Sequence, residues 1–296
     1  MVYICKMEQK EFEESLKIIQ NYKTDESSGI AYVDVGEAGQ TLLFVHGLGS
    51  NRFAWVNNVV ELSKHHRCIL IDLPNYGDSE KGDFSFSLTF FKDRIYKFCY
   101  SLGLRNVTMV GHSMGAQIAV KAGVEKPSFI GKLILLTPAG IETFNEFEKQ
   151  WLRQINIPEI LFNAPEEQIR KNFEINFERF GIEAEWLLLE RLEFMKDKKA
   201  YFKYCKMICK CVDAMLNEPS SNVLHQLIQP TLVVFAEEDK LIPNRMLHSA
   251  LKYNYLMAVA ERKIINAEVA TIKNAGHFAQ IDNYREVNRI ILNFLN

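Results

Sequence analysis

The chain has 296 residues, 48% of them hydrophobic, with 35 basic and 37 acidic side chains and a formal net charge of −2. That length can bury a sizeable core without disulfides or structural metal, as one large α/β domain or two ordinary ones. The near-neutral balance lacks the clustered basic excess that nucleic acid demands, and no apolar run reaches the roughly 18–20 residues of a membrane-spanning helix. The apolar start, Met1-Val-Tyr-Ile-Cys-Lys6, is too short for a signal peptide. Six cysteines are scattered at Cys5, Cys68, Cys99, Cys205, Cys209 and Cys211. Cys205 and Cys209 share a helix face, but Cys211 points elsewhere and no fourth ligand follows at zinc-site spacing, so reduced thiols and no bound metal are expected. A reducing, cytoplasmic setting fits that usage.

In chain order, Glu8 to Lys23 reads as an amphipathic helix, with Phe12, Leu16 and Ile19 at helical spacing. A polar turn-rich patch, Thr24 to Gly29, leads to strands at Ile30–Val35 and Thr41–Val45, which the short intervening turn suggests form a hairpin. Short apolar runs then alternate with helical stretches: Cys68–Ile71, Val107–Val110, Leu133–Leu136, Thr231–Phe235 and Glu268–Ile272. Continuous apolar strands separated by helices imply a mainly parallel sheet covered on both faces, with ligands at the carboxyl ends of its strands. One stretch breaks the rhythm. Residues 139–223 show no buried strand, are helical in pattern and carry many aromatics, among them Phe144, Trp151, Phe173, Trp186 and Tyr204. The division expected is an N-terminal helical extension over 1–29, a core from 30–138 and 224–296, and a helical cap over 139–223 inserted after the sixth strand. The lysines between Lys196 and Lys210 read as a solvated helix face.

The strongest chemical signal is Gly111-His-Ser-Met-Gly115, directly between a strand and a helix-like run. This is the context of a G-x-S-x-G elbow, in which a sharp turn exposes the serine oxygen at a helix N-terminus and Gly111 and Gly115 avoid clashes. Ser113 needs a base. Of the seven histidines, His277 is best placed, after the last strand in Asn274-Ala-Gly-His277, where the preceding glycine lets the loop turn the imidazole toward the elbow. His112 should point away from the serine, and His65, His66, His225 and His248 fall in helical or surface segments. The base needs a carboxylate. Asp239, at the end of an apolar strand in Asp-x-x-Ile-Pro243, is favoured over Glu237 and Glu238, which spacing alone leaves open. An oxyanion would need backbone donors. Those expected are the N–H of Met114 and of Leu48 in the loop His46-Gly47-Leu48-Gly49, whose glycines permit close approach. That loop is followed by no Lys-Ser/Thr and the chain lacks G-x-G-x-x-G, so no nucleotide site is expected.

From about Ile30 onward the chain resembles the α/β-hydrolase superfamily with a helical cap. The motifs that carry the likeness are His46-Gly-Leu-Gly49, Asp72-Leu-Pro-Asn-Tyr-Gly-Asp-Ser79, the elbow and Gly276-His277. They look like the branch of esterases, monoacylglycerol lipases and carbon–carbon-bond hydrolases. The resemblance implies a serine hydrolase with the order Ser113, Asp239, His277 and no cofactor. Asn75 stands where that branch usually has glycine, a change that asparagine's tolerance of positive φ can absorb. The expected activity is hydrolysis of a carboxylic ester through an acyl-enzyme, on a small apolar or aromatic substrate suited to an aromatic cap. Two alternatives stand beside it. One is cleavage of a vinylogous diketone, although that group usually has a second glycine after the elbow and a tryptophan after the histidine, where Ala116 and Phe278 occur here. The other is a non-catalytic small-molecule receptor of the same fold. Oligomeric state is not readable from the sequence.

Overall fold

A computed structural model describes residues 6–125 and 128–296. Cys5 and the apolar start of the chain lie outside the described residues. Eight strands form one sheet: β1 (Lys23–Asp25), β2 (Ile30–Val35), β3 (Thr41–Val45), β4 (Arg67–Ile71), β5 (Val107–His112), β6 (Ile130–Leu136), β7 (Thr231–Ala236) and β8 (Ala267–Ile272), in the spatial order β1-β2-β4-β3-β5-β6-β7-β8. The first two pairings, β1 with β2 and β2 with β4, are antiparallel, and all the others are parallel.

Alternation along the strands builds two cores. Leu43, Val45, Ile69, Ile71, Met109 and Leu133 point to one face, under the helices Leu88–Ser101, Met114–Val124 and Tyr253–Lys263. Leu42, Phe44, Leu70, Val110, Ile134 and Val234 point to the other, under Lys6–Gln20, Val56–Leu62 and Tyr284–Leu295. Residues one apart on a strand face opposite ways, so an unbroken apolar run fills both sides. Between β6 and β7 lie the helices Glu146–Ile155, Pro158–Phe162, Glu166–Glu174, Ile182–Phe194 and Lys198–Asn217.

The expected hairpin of β2 and β3 does not form. β4 lies between them, pairing antiparallel with β2 and parallel with β3. The wholly buried Leu42–Val45 run gains a neighbour on each side that way, with β5 on its other edge. The half-buried end of β2 instead meets the start of β4, where Arg67 Nε and Nη2 donate to Asp34 at 2.9 and 2.7 Å. The N-terminal helix ends at Gln20 rather than Lys23, because Lys23–Asp25 pairs with β2 as β1.

Arg52, fully buried just after β3, docks that N-terminal helix. Its Nε donates to the Ile19 carbonyl at 3.0 Å and its Nη2 to Asp78 at 2.7 Å, while Nη1 pairs with the buried Asp72. Asp72 also accepts the backbone N–H groups of Arg52 and Asp78, each at 2.8 Å. One carboxylate thereby ties the loop after β3 to the turn after β4, where Asn75 takes a φ of 69°. Removing the buried carboxylate leaves the Arg52 guanidinium with only the exposed Asp78 to balance its charge. Asp72→Asn should therefore lower stability by about 3–5 kcal/mol in urea unfolding, and an unchanged midpoint would contradict this.

A second polar knot joins the inserted helices to the loop after β7. His248 places Nδ1 2.5 Å from Glu142 and Nε2 3.2 Å from Glu148, with Phe144 stacked on its ring. Two carboxylates require two donors, which only the imidazolium supplies. Burial pulls the His248 pKa down, but the bonds and charges of Glu142 and Glu148 outweigh it, leaving the pKa above the ordinary value. The knot's stabilisation is then complete below about pH 6.5 and is lost as pH rises through the higher folded value. His248→Phe should lower the melting temperature more at about pH 5.5 than at about pH 9; equal losses would contradict the assignment.

Candidate active site

The site lies at the carboxyl edge of the parallel strands. Ser113 follows β5 immediately and caps the helix Met114–Val124, with φ 54° and ψ −115°. A left-handed backbone at a non-glycine residue costs on the order of 1–3 kcal/mol and persists only when its surroundings hold it. Here the Ser113 N–H donates to the Leu136 carbonyl at 3.0 Å, and its carbonyl accepts from Ala116 and Gln117 at 3.1 and 3.2 Å. The flanking glycines are forced by packing. A Cβ on Gly111 would lie 2.5 Å from the Gly115 carbonyl oxygen, and one on Gly115 would lie 2.3 Å from that of Val45.

His277 Nδ1 stands 2.8 Å from Asp239 Oδ2, with both side chains buried. Asp239 is itself oriented: its other oxygen accepts the N–H groups of Leu241 and Ile242 at 2.7 and 3.0 Å. Glu238 is exposed, and Glu237 accepts from the Tyr253 hydroxyl at 3.4 Å, so of the three acids Asp239 is the one that meets the histidine. A carboxylate at Nδ1 selects the tautomer that leaves the lone pair on Nε2. The backbone of His277 is pinned as well, its carbonyl accepting from Thr137 Oγ1 and His112 Nε2, each at 2.9 Å. Burial keeps the His112 pKa well below the ordinary histidine value, so this ring stays neutral and is turned to a structural bond away from the serine.

Gly276 does not serve as a swivel. A Cβ there would lie 2.8 Å from both the Asn176 carbonyl oxygen and the Glu178 N–H nitrogen, so the residue is small because inserted backbone packs on it. Asp282, which the sequence reading missed, accepts the N–H groups of Gly276 and Glu178 at 2.7 and 2.8 Å and clasps the two segments together.

The loop after β3 approaches from the other side. A Cβ on Gly47 would lie 3.0 Å from Ser113 Cβ. His46 is fully buried; its Nε2 accepts the Leu73 N–H at 3.0 Å, so Nδ1 carries the proton and donates to the Gly47 carbonyl at 2.8 Å. Burial lowers the His46 pKa, which keeps this neutral tautomer. In a trans peptide the carbonyl and the next N–H point in opposite directions, so fixing the Gly47 oxygen also fixes the Leu48 N–H. Met114 opens its helix, so its N–H has no intrahelical acceptor.

Ser113, His277 and Leu48 share a cavity of ≈ 450 Å³, walled by inserted residues such as Asn172, Ile175 and Met215 and by Phe278. Among the described residues its lining contains no lysine or arginine and one carboxylate, Glu142. Beyond Leu48 and Phe278 a second cavity of ≈ 210 Å³ is walled by Phe173, Phe177, Arg191, Tyr201, Tyr204 and Ile208. None of the described cysteines lines the first cavity, and burial pushes the thiols of Cys68, Cys99 and Cys211 up to about 12.

Similarity to known proteins agrees with this architecture. A 2-hydroxy-6-oxononadienedioate/2-hydroxy-6-oxononatrienedioate hydrolase of Paraburkholderia phymatum is 25% identical over 277 residues, covering 90% of each chain. Among solved structures, an esterase from Exiguobacterium antarcticum superimposes with a TM-score of 0.74 at 20% identity, over 90% of this chain and 95% of its own. A meta-cleavage product hydrolase from Pseudomonas fluorescens also gives 0.74, at 21% identity over 93% and 97% of the two chains. The family model described as alpha/beta hydrolase fold matches residues 40–284, and with the sheet, the elbow and the strand-end loops in place, the chain belongs to that family of hydrolases.

Proposed function

We propose that the protein hydrolyses an uncharged carboxylic ester through an acyl-enzyme, with Ser113 as nucleophile, His277 as general base and acid, and Asp239 fixing the imidazole. The observation that carries this reading is the convergence, on one cavity, of the strained serine, a histidine bonded to a buried aspartate, and the Gly47–Leu48 loop. His277 takes the Ser113 proton as the hydroxyl attacks the carbonyl, and the N–H groups of Leu48 and Met114 stabilise the oxyanion. His277 then protonates the leaving alkoxide, and later activates the water that cleaves the acyl-enzyme. The helices between β6 and β7 act as a cap that walls the acyl pocket. Among the described residues no lysine or arginine lines the first cavity, and Arg191 lines only the adjoining one, which supports a neutral group beside Ser113 over the dianionic substrates for which the Paraburkholderia relative is named.

The test is steady-state hydrolysis of p-nitrophenyl esters of increasing acyl length, set beside a vinylogous diketone. Turnover of the esters should fall by at least about 10⁴-fold in Ser113→Ala and by a comparable factor in Asp239→Asn. A wild-type protein inert on every ester but active on the diketone would overturn the ester reading while leaving the three residues in place.

A further inference from the structure

The donor loop is held at two ends by different parts of the chain. Its inner end is fixed by His46, as described above. Its outer end is held by two neighbouring residues of the inserted helix Ile182–Phe194. Arg191 Nη2 donates to the Gly49 carbonyl at 2.6 Å, and Asn51 Nδ2 donates to Glu190 at 3.0 Å. The Ser50 N–H reaches the Gly47 carbonyl at 3.3 Å, closing a turn whose third residue is Gly49 at φ 71°. Such a turn places Leu48 and Gly49 at its corner and needs a residue that accepts positive φ at the third position. The carbonyl that leaves this corner is the one Arg191 takes. A cation on a carbonyl makes a charge-assisted bond of roughly twice the strength of a neutral one. The guanidinium is itself braced, lying 4.5 Å from the Tyr204 ring centre and 5.7 Å from that of Phe173.

We propose that Arg191 is a positioning residue for the oxyanion hole: by holding the Gly49 carbonyl it keeps the Leu48 N–H aimed at the carbonyl under attack. This rests on the reading of Ser113 and Leu48 given above. The inserted helices then form part of the catalytic scaffold as well as a wall, and any movement that lifts the helix Ile182–Phe194 from the loop slackens one of the two oxyanion donors. Glu190 makes the same link through Asn51, which also caps the turn over Arg52–Trp55 by accepting the Phe53 N–H at 3.0 Å.

The experiment compares wild type with Arg191→Gln and Arg191→Lys in the full chain. It reads kcat and KM on a neutral p-nitrophenyl ester and on one bearing a distal carboxylate, together with the affinity of an alkylboronic acid, which forms a tetrahedral adduct on the serine. The expected result for Arg191→Gln is a kcat loss of roughly 10- to 100-fold on both esters, KM within about threefold, and a parallel loss of boronate affinity. Lysine, which can still reach the carbonyl as a point charge, should restore part of both. A loss confined to KM for the anionic ester would overturn the proposal and make Arg191 a substrate contact. Unchanged kcat would also overturn it, as would a kcat loss without loss of boronate affinity. Failure of the ester reading shows separately, as wild-type protein inert on both esters, and the boronate ratio between variants still reports on the loop.

Discussion

The carboxylate of Asp72 organises the loops above the sheet. It is fully buried at the end of β4 and receives both the side chain and the N–H of Arg52, together with the N–H of Asp78. A buried charge is tolerable only when it is paired and its lone pairs are filled, and these conditions are met by drawing three segments together. The loop after β3 is held down on the turn after β4, and the N-terminal helix is anchored through Ile19. The Gly47–Gly49 loop beside Ser113 starts from that fixed base. Arg67 with Asp34 secures the antiparallel margin of the same region at the other end of β4.

Around this base, each of the three candidate residues is held by several hydrogen bonds. β6 supplies the carbonyl that holds Ser113, Thr137 and His112 hold the His277 carbonyl, and the loop after β7 supplies the N–H groups that orient Asp239. Placing functional groups on short loops at strand ends gives them reach, and the dense hydrogen bonding gives them the fixed geometry that electrostatic stabilisation of a transition state requires. The inserted segment closes over this edge through polar contacts at separate points: Asp282 with Glu178 and Arg179, Arg191 and Glu190 with the loop after β3, and His248 with Glu142 and Glu148.

Much of the arrangement of the candidate site was legible because its signals are local. The elbow announces itself within five residues between a strand and a helix, and Asp239, His277 and the His46–Gly49 loop each follow closely on an apolar run. Sheet order is less legible, since it depends on which strand a crossover lays beside which. The short Gly36–Gln40 turn suggested a hairpin, but the helical crossover after β3 brings β4 in between. The supports were not legible at all. Arg52 with Ile19, Asp282 with Glu178 and Arg191 with Gly49 are separated by 33, 104 and 142 positions, and nothing in the local pattern of either partner points to the other. Gly276 shows the limit differently: the residue was noticed, but its reason is a neighbour from the insertion, invisible in its own segment.

Activation of Ser113 by His277 is best probed by treating wild type and His277→Ala with a fluorophosphonate and locating the adduct by peptide mass spectrometry. One adduct is expected, on the peptide containing Ser113, with its formation slowed by orders of magnitude in His277→Ala. An adduct on another residue, no adduct in the wild type, or equal labelling of the two proteins would contradict it.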